Sequence, residues 1–178
     1  MNDLDIFIDL ESLGIGSPLY RIGEGGNIDA LFNKLPVSLA EEGYQPRIIW
    51  GTACVKRKSG RLPGRLQIAL KTIFVHHGGV VVWTEDIADN ALKREVQRLL
   101  LGGELAQTVL LIACDHDFCP LVEDVVGSGR LVIVSGNNVS RRLANVASRV
   151  IPLKELAGEG EKLPIAKPSS LPNPILLP

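Results

Sequence analysis

Short apolar runs alternate along this chain with longer stretches in which apolar residues recur at helical spacing. The runs LDIFIDL (4–10), RIIWGTA (47–53), VVVW (80–83), TVLLIA (108–113) and RLVIVSG (130–136) are rich in β-branched and aromatic residues and predict strands. RVIPL (149–153) predicts a last, shorter one. Between them the helical period predicts a helix capped by Asn27 through IDALFNKL, which Pro36 interrupts or kinks before VSLAEEG finishes it. Pro63 opens a helix through GRLQIALKTIFVHHGG, whose glycines stop it. Further helices are predicted from about Glu85 to Leu101, across FCPLVEDVVGSG, and across VSRRLANVAS. Strands alternating with helices, and apolar on both faces, predict an α/β fold: a Rossmann-like three-layer sandwich with a mainly parallel central sheet. In such sheets ligands bind outside the carboxyl ends of the strands.

The pattern covers residues 1–156 as one domain, which suits 178 residues with 46% hydrophobic content. The remainder, 157–178, has prolines at 164, 168, 172, 174 and 178 and no helical or strand period, and reads as a flexible, partly extended tail. No apolar stretch reaches the roughly 18–20 residues that span a bilayer. Acidic residues stand at the N-terminus where a secretory signal carries basic ones, so a soluble protein is expected. Cys54, Cys114 and Cys119 form no C-x-x-C pair, which argues against a disulfide framework or zinc knuckle and suits the cytoplasm. A net charge of −1 excludes a global basic field, so any nucleic-acid binding must use a local patch.

Candidate chemistry lies in the acids at strand ends. Asp9 closes the first strand, and Asp115 and Asp117 follow the fourth, so the three share one rim if those strands are neighbours. On the helix leading to Leu101, about 100° per residue puts Ala88, Ala91, Leu92, Val96, Leu99 and Leu100 on one side, with Asp89 and Glu95 inside that apolar arc and Asp86 outside it. Each acid has a plainer reading. Asp117 suits the N-cap of a helix beginning at Phe118, Asp9 suits a loop cap, and Asp89 and Glu95 suit pairing with Lys93, Arg94 or a helix nearby. Together, like charges at one rim require neutralising cations, and hard oxygen ligands suit Mg²⁺ or Mn²⁺. His116 stands between two aspartates; alternation points it away from both and gives it a surface role. His76 and His77 read as dipole partners at a helix end. Cys114 and Cys119 read as small buried residues.

Three stretches resemble the NYN family of PIN-like nucleases, over residues 4 to 156. DIFIDLES gives the opening strand ending in Asp9, with Ser12 where the family often has Asn. ACDHDFCPLV is similar to the family signature Ser-x-Asp-x-Asp-Phe-x-Pro-Leu, matching at Asp115, Asp117, Phe118, Pro120 and Leu121 with Ala113 in place of serine. DNALKRE resembles the family's helical Asp-x-x-Leu-x-x-Asp from Asp89 to Glu95, and Ser148 stands where an Asp precedes the last strand. The resemblance implies a PIN-like fold and a metal-dependent ribonuclease. Asp9, Asp89, Asp115 and Asp117 would hold Mg²⁺ or Mn²⁺, with Glu95 as an auxiliary ligand, and the products would carry 5′-phosphate and 3′-hydroxyl ends.

RNA, single-stranded or structured, is then the expected partner. Lys56, Arg57, Lys58, Arg61 and Arg65 stand on the loop after the second strand, with Arg141 and Arg142 adding to them. A solvated loop is the plainer reading of that basic run. A protein partner at the proline-rich tail and a homo-oligomer complete the expected associations, with no membrane. The competing reading is a catalytically inert RNA-binding or protein-interaction module. A Toprim-type nuclease wants Glu on the opening strand and a haloacid-dehalogenase-like phosphatase wants Asp-x-Asp there, so Asp9 and Glu11 disfavour both.

Overall fold

Alternate residues of the opening strand belong to different layers. The computed structural model of the chain describes residues 1–13, 27–57, 60–85 and 87–157, and within it β1 (Asn2–Asp9) is buried from Leu4 onward. Leu4, Ile6 and Ile8 pack into one core, with Leu31, Phe32, Leu35 and Leu39 of α1 (Asn27–Glu41) and Leu66, Leu70 and Phe74 of α2 (Gly64–His76). Phe7 packs into another, with Leu92, Val96 and Leu99 of α3 (Ala88–Leu101), Leu121, Val122 and Val125 of α4 (Cys119–Gly127) and Leu143 of α5 (Arg141–Val146). A strand buried on both faces needs apolar residues at both parities, and each fully buried side chain of this size contributes about 1.5–3 kcal/mol.

The sheet is completed by β2 (Tyr44–Cys54), β5 (Val80–Thr84), β6 (Thr108–Ile112), β7 (Leu131–Gly136) and β8 (Arg149–Pro152). The order is β5-β2-β1-β6-β7-β8, and all pairings within it are parallel. Helices on both faces make the Rossmann-like three-layer sandwich that the pattern predicts. The first and fourth apolar strands are neighbours, which the shared rim required, with Leu4 to Ile8 in register with Thr108 to Ile112. From β1 the chain winds outward through β2 to β5, then returns to β6 and winds the other way. The switch point, where such folds open a crevice, therefore lies between β1 and β6.

Several local expectations shift. Helix α1 runs unbroken through Pro36; the buried row Leu31, Phe32, Leu35 and Leu39 holds it against the sheet despite the lost backbone bond. Helix α3 begins at Ala88 rather than near Glu85. A short hairpin, β3 (Lys56–Arg57) with β4 (Gly60–Arg61), occupies the loop after β2, and a one-turn helix, α6 (Leu153–Leu156), buries Leu153 and Leu156 beside α1. Gly51 of β2 lets the Phe74 ring lie on the sheet: a Cβ there would stand 2.4 Å from its Cζ. The predicted tail lies almost wholly outside the described residues. No helix among the described residues is long and apolar enough to cross a membrane.

Candidate functional site

Strand parity places Asp9 on the α3 side of the sheet, at the carboxyl end of β1, where only 4% of it is exposed. Both of its carboxylate oxygens accept hydrogen bonds: Oδ1 from the Glu11 backbone N–H at 3.0 Å, and Oδ2 from the Ser12 backbone N–H at 3.2 Å and from the Ser12 hydroxyl. Burial raises the Asp9 pKa, the bonds from Ser12 and Glu11 draw it back, and the Glu11 charge adds to the rise. Its register partner on β2, Thr52, is fully buried, and the Thr52 hydroxyl has no hydrogen-bond partner among the described residues. An unsatisfied buried hydroxyl beside a buried carboxylate is costly to folding.

Asp89 reaches the same place from above. It is the second residue of α3, whose N-terminal turn overhangs the rim and whose dipole favours a negative charge there. Its pKa is raised first by burial and then by the charge of Asp9, with smaller contributions from Asp115 and Asp117, while Lys93 one turn on opposes them. The Lys93 ammonium also lies 5.0 Å from the centroid of the Phe118 ring, tying α3 to the segment that follows β6.

That segment turns sharply. Asp115 caps a 3₁₀ turn, His116–Phe118, its Oδ1 accepting the Asp117 backbone N–H at 3.2 Å. The capping expected of Asp117 is therefore performed by Asp115, two residues earlier. His116 is also not turned away from its neighbours: Nδ1 lies 2.8 Å from Asp115 Oδ1 and Nε2 lies 3.5 Å from Asp117 Oδ1. Strand alternation ends with β6, and in the 3₁₀ turn that follows successive side chains are no longer on opposite faces. Ligand atoms of Asp115, His116 and Asp117 all lie within 4.8 Å of one another.

A cleft of about 450 Å³ opens at the switch point, lined by Asp9, Glu11, Ser12, Asp89, Cys114, Asp115 and Ser140. Three of the four principal sequence candidates thus line one space, and Asp117 stands exposed on its flank, adding its charge to Asp89. Glu95 does not join them. It makes two bonds to Arg98, at 2.9 and 3.1 Å, on the same helix, and six residues of α3 carry it about 9 Å along the axis from Asp89. Glu95 pairs within its helix, with Arg98 as partner rather than Lys93 or Arg94.

Residues the sequence reading did not place in the site are Glu11, whose Oε1 accepts the Cys54 backbone N–H at 3.4 Å, Ser140, Ser12 and Cys114. The signal for Cys114 was its place directly before Asp115, and for Ser12 its place three residues after Asp9, where the resembled family often has Asn. Cys114 is half-buried at the cleft rather than a core residue. Ser148 lies at the opposite end of the sheet, its hydroxyl accepting the Val132 N–H at 3.0 Å, so the departure there does not touch the cleft. Ala113 is buried in the α4-side core.

The basic candidates flank the carboxylates. Lys56 and Arg61 lie on the β3–β4 hairpin beyond the carboxyl end of β2, and Arg65 opens α2; all three are exposed. Arg61 contacts Glu85 at 3.9 Å. The Arg57 side chain and Lys58 lie outside the described residues. Arg141 and Arg142 are exposed on α5, beyond the carboxyl end of β7 on the other side.

A hard divalent cation fits the donor set: carboxylates from β1, α3 and the β6 exit converge on one cleft, and the charges of Asp9, Asp115 and Asp117 raise the proton affinity of Asp89 against the opposing Lys93. No family model matches the chain, and no curated protein matches it. Among solved structures it is similar to a protein of unknown function from Vibrio parahaemolyticus RIMD 2210633, at 14% identity and a TM-score of 0.63, over 87% of this chain and 94% of that one. It is also similar to a 3-dehydroquinate dehydratase-like protein from Bifidobacterium longum, at 9% identity and a TM-score of 0.43, over 89% of this chain and 97% of that one. The first likeness shows the shared α/β fold.

Proposed function

We propose that the chain is a metal-dependent endoribonuclease of the NYN type. The observation that carries this reading is the meeting of Asp9, Asp89 and Asp115, from three elements remote in sequence, in one cleft at the switch point of the sheet. Those three, with Asp117 at the flank, would hold Mg²⁺ or Mn²⁺. When bound, such an ion lowers the pKa of water and stabilises charge developing on a phosphate. Lys56, Arg61 and Arg65 on one flank and Arg141 and Arg142 on the other would bind phosphates on either side of the scissile one. A strand of RNA would then cross the carboxyl ends of β2, β1, β6 and β7, which at about 4.8 Å per strand is a span of roughly 14 Å. Water adds to phosphorus and the P–O3′ bond breaks, leaving a 5′-phosphate and a 3′-hydroxyl.

Cleavage of end-labelled single-stranded RNA in Mn²⁺, Mg²⁺ or EDTA tests the reading, with Asp115→Asn as the comparison. Cutting is expected with metal and not with EDTA, and the substitution should reduce it about 100-fold. Equal cutting by both proteins, or cutting indifferent to EDTA, would reject the assignment. RNA retention in EDTA without cutting in any metal would instead favour the inert binding module.

A further inference from the structure

Ser12 stands where the sequence departs from the family it resembles, yet its hydroxyl joins two of the site's strands. The Cys114 backbone N–H donates to Ser12 Oγ at 3.0 Å. That N–H has no choice of direction, so the hydroxyl accepts there and its own proton is left for Asp9 Oδ2. The Ser12 backbone N–H donates to the same oxygen. Among the described residues Asp9 Oδ2 therefore receives two bonds, whereas Oδ1 receives one, from Glu11.

We propose that Ser12 is the positioning residue of this site. It holds Oδ2 as the inward oxygen of Asp9, so that Oδ1 is the oxygen offered to the cleft. Because its other bond goes to the residue directly before Asp115, the same hydroxyl fixes the spacing between Asp9 and Asp115 across the β1–β6 crevice. Turning the Asp9 carboxylate would leave a buried oxygen unpaired, and sliding the β6 exit would take the acceptor from the half-buried Cys114 N–H. The inference rests on the metal reading above and specifies how that site is set. Groups that orient a ligand from behind typically change metal affinity by about 10–100-fold when removed.

The test uses the full chain, stripped of metal and titrated with Mn²⁺ by calorimetry, as natural protein, Ser12→Ala, Ser12→Thr and Asp9→Asn. The unfolding midpoint of each is measured in EDTA. Ser12→Ala is expected to weaken Mn²⁺ binding by about 10–100-fold while still unfolding cooperatively, and Ser12→Thr, which keeps the hydroxyl, is expected to restore it. If Ser12→Ala binds Mn²⁺ like the natural protein while Asp9→Asn does not, the positioning role is wrong and the metal site stands. If Ser12→Ala loses affinity only together with cooperative unfolding, or Ser12→Thr fails to restore it, Ser12 is structural and the proposal is overturned. If the natural protein takes up no Mn²⁺, the metal reading fails and the proposal falls with it.

Discussion

At the level of single residues, the balance of charge in the cleft makes a prediction that needs no substrate. Burial and the charges of Asp9, Asp115 and Asp117 raise the proton affinity of Asp89, and burial does the same to Asp9. A carboxylate whose folded pKa is raised keeps its proton after the unfolded chain has released it. Below the ordinary value of 3.8 both states are protonated; as pH rises through the raised folded values, the metal-free protein loses stability. Asp89→Asn removes its share of that loss. In EDTA near neutral pH it should be more stable than the natural protein by about 0.5–2 kcal/mol, unfolding at a higher temperature and with a flatter dependence on pH. A lower midpoint, or an identical pH profile, would show that Asp89 is not under repulsion. The helical arc identified both Asp89 and Glu95 as core-facing, but angle around a helix says nothing of height along it. Height decides which acid reaches the rim and which finds Arg98.

At the level of elements, the long apolar runs were recoverable because burial on both faces leaves little sequence freedom, and their boundaries moved by only a few residues. The β3–β4 hairpin was not, since two-residue strands rich in Lys, Arg and Gly carry no alternation to read. The hairpin places Lys56 and Arg61 together at the β2 end of the rim. Replacing both with Ala should reduce the slope of log affinity against log salt for single-stranded RNA, measured in EDTA, by about 1.4, at roughly 0.7 per lost phosphate contact. An unchanged slope would remove the hairpin from the RNA path. The 3₁₀ turn was equally hidden: alternation read His116 as pointing away from Asp115 and Asp117, whereas the turn draws it between them.

Across the whole molecule, the two ends of the sheet carry different work. Asp5, fully buried on β1, accepts two bonds from Arg47 and one from the Ala106 backbone N–H at 2.7 Å. Four residues along a strand separate it from Asp9 by about 13 Å. Asp5→Ala leaves a buried N–H unsatisfied and should cost about 1–3 kcal/mol of stability, read by denaturant titration. Mn²⁺ affinity of the folded protein should be unchanged; a matching loss of affinity would mean that the ends are coupled.

The sequence by itself determined the layers, the order of strands and helices along the chain, and the pool of acids at strand ends, because hydrophobic period and strand-end position are local properties. Tertiary structure decided which strands adjoin, and so where the winding reverses between β1 and β6. It also decided that Asp9, Asp89 and Asp115 share a cleft while Glu95 does not, and that Ser12 bridges Asp9 to the backbone before Asp115. Those outcomes depend on packing between segments up to a hundred residues apart, whose relative height and register no local pattern encodes.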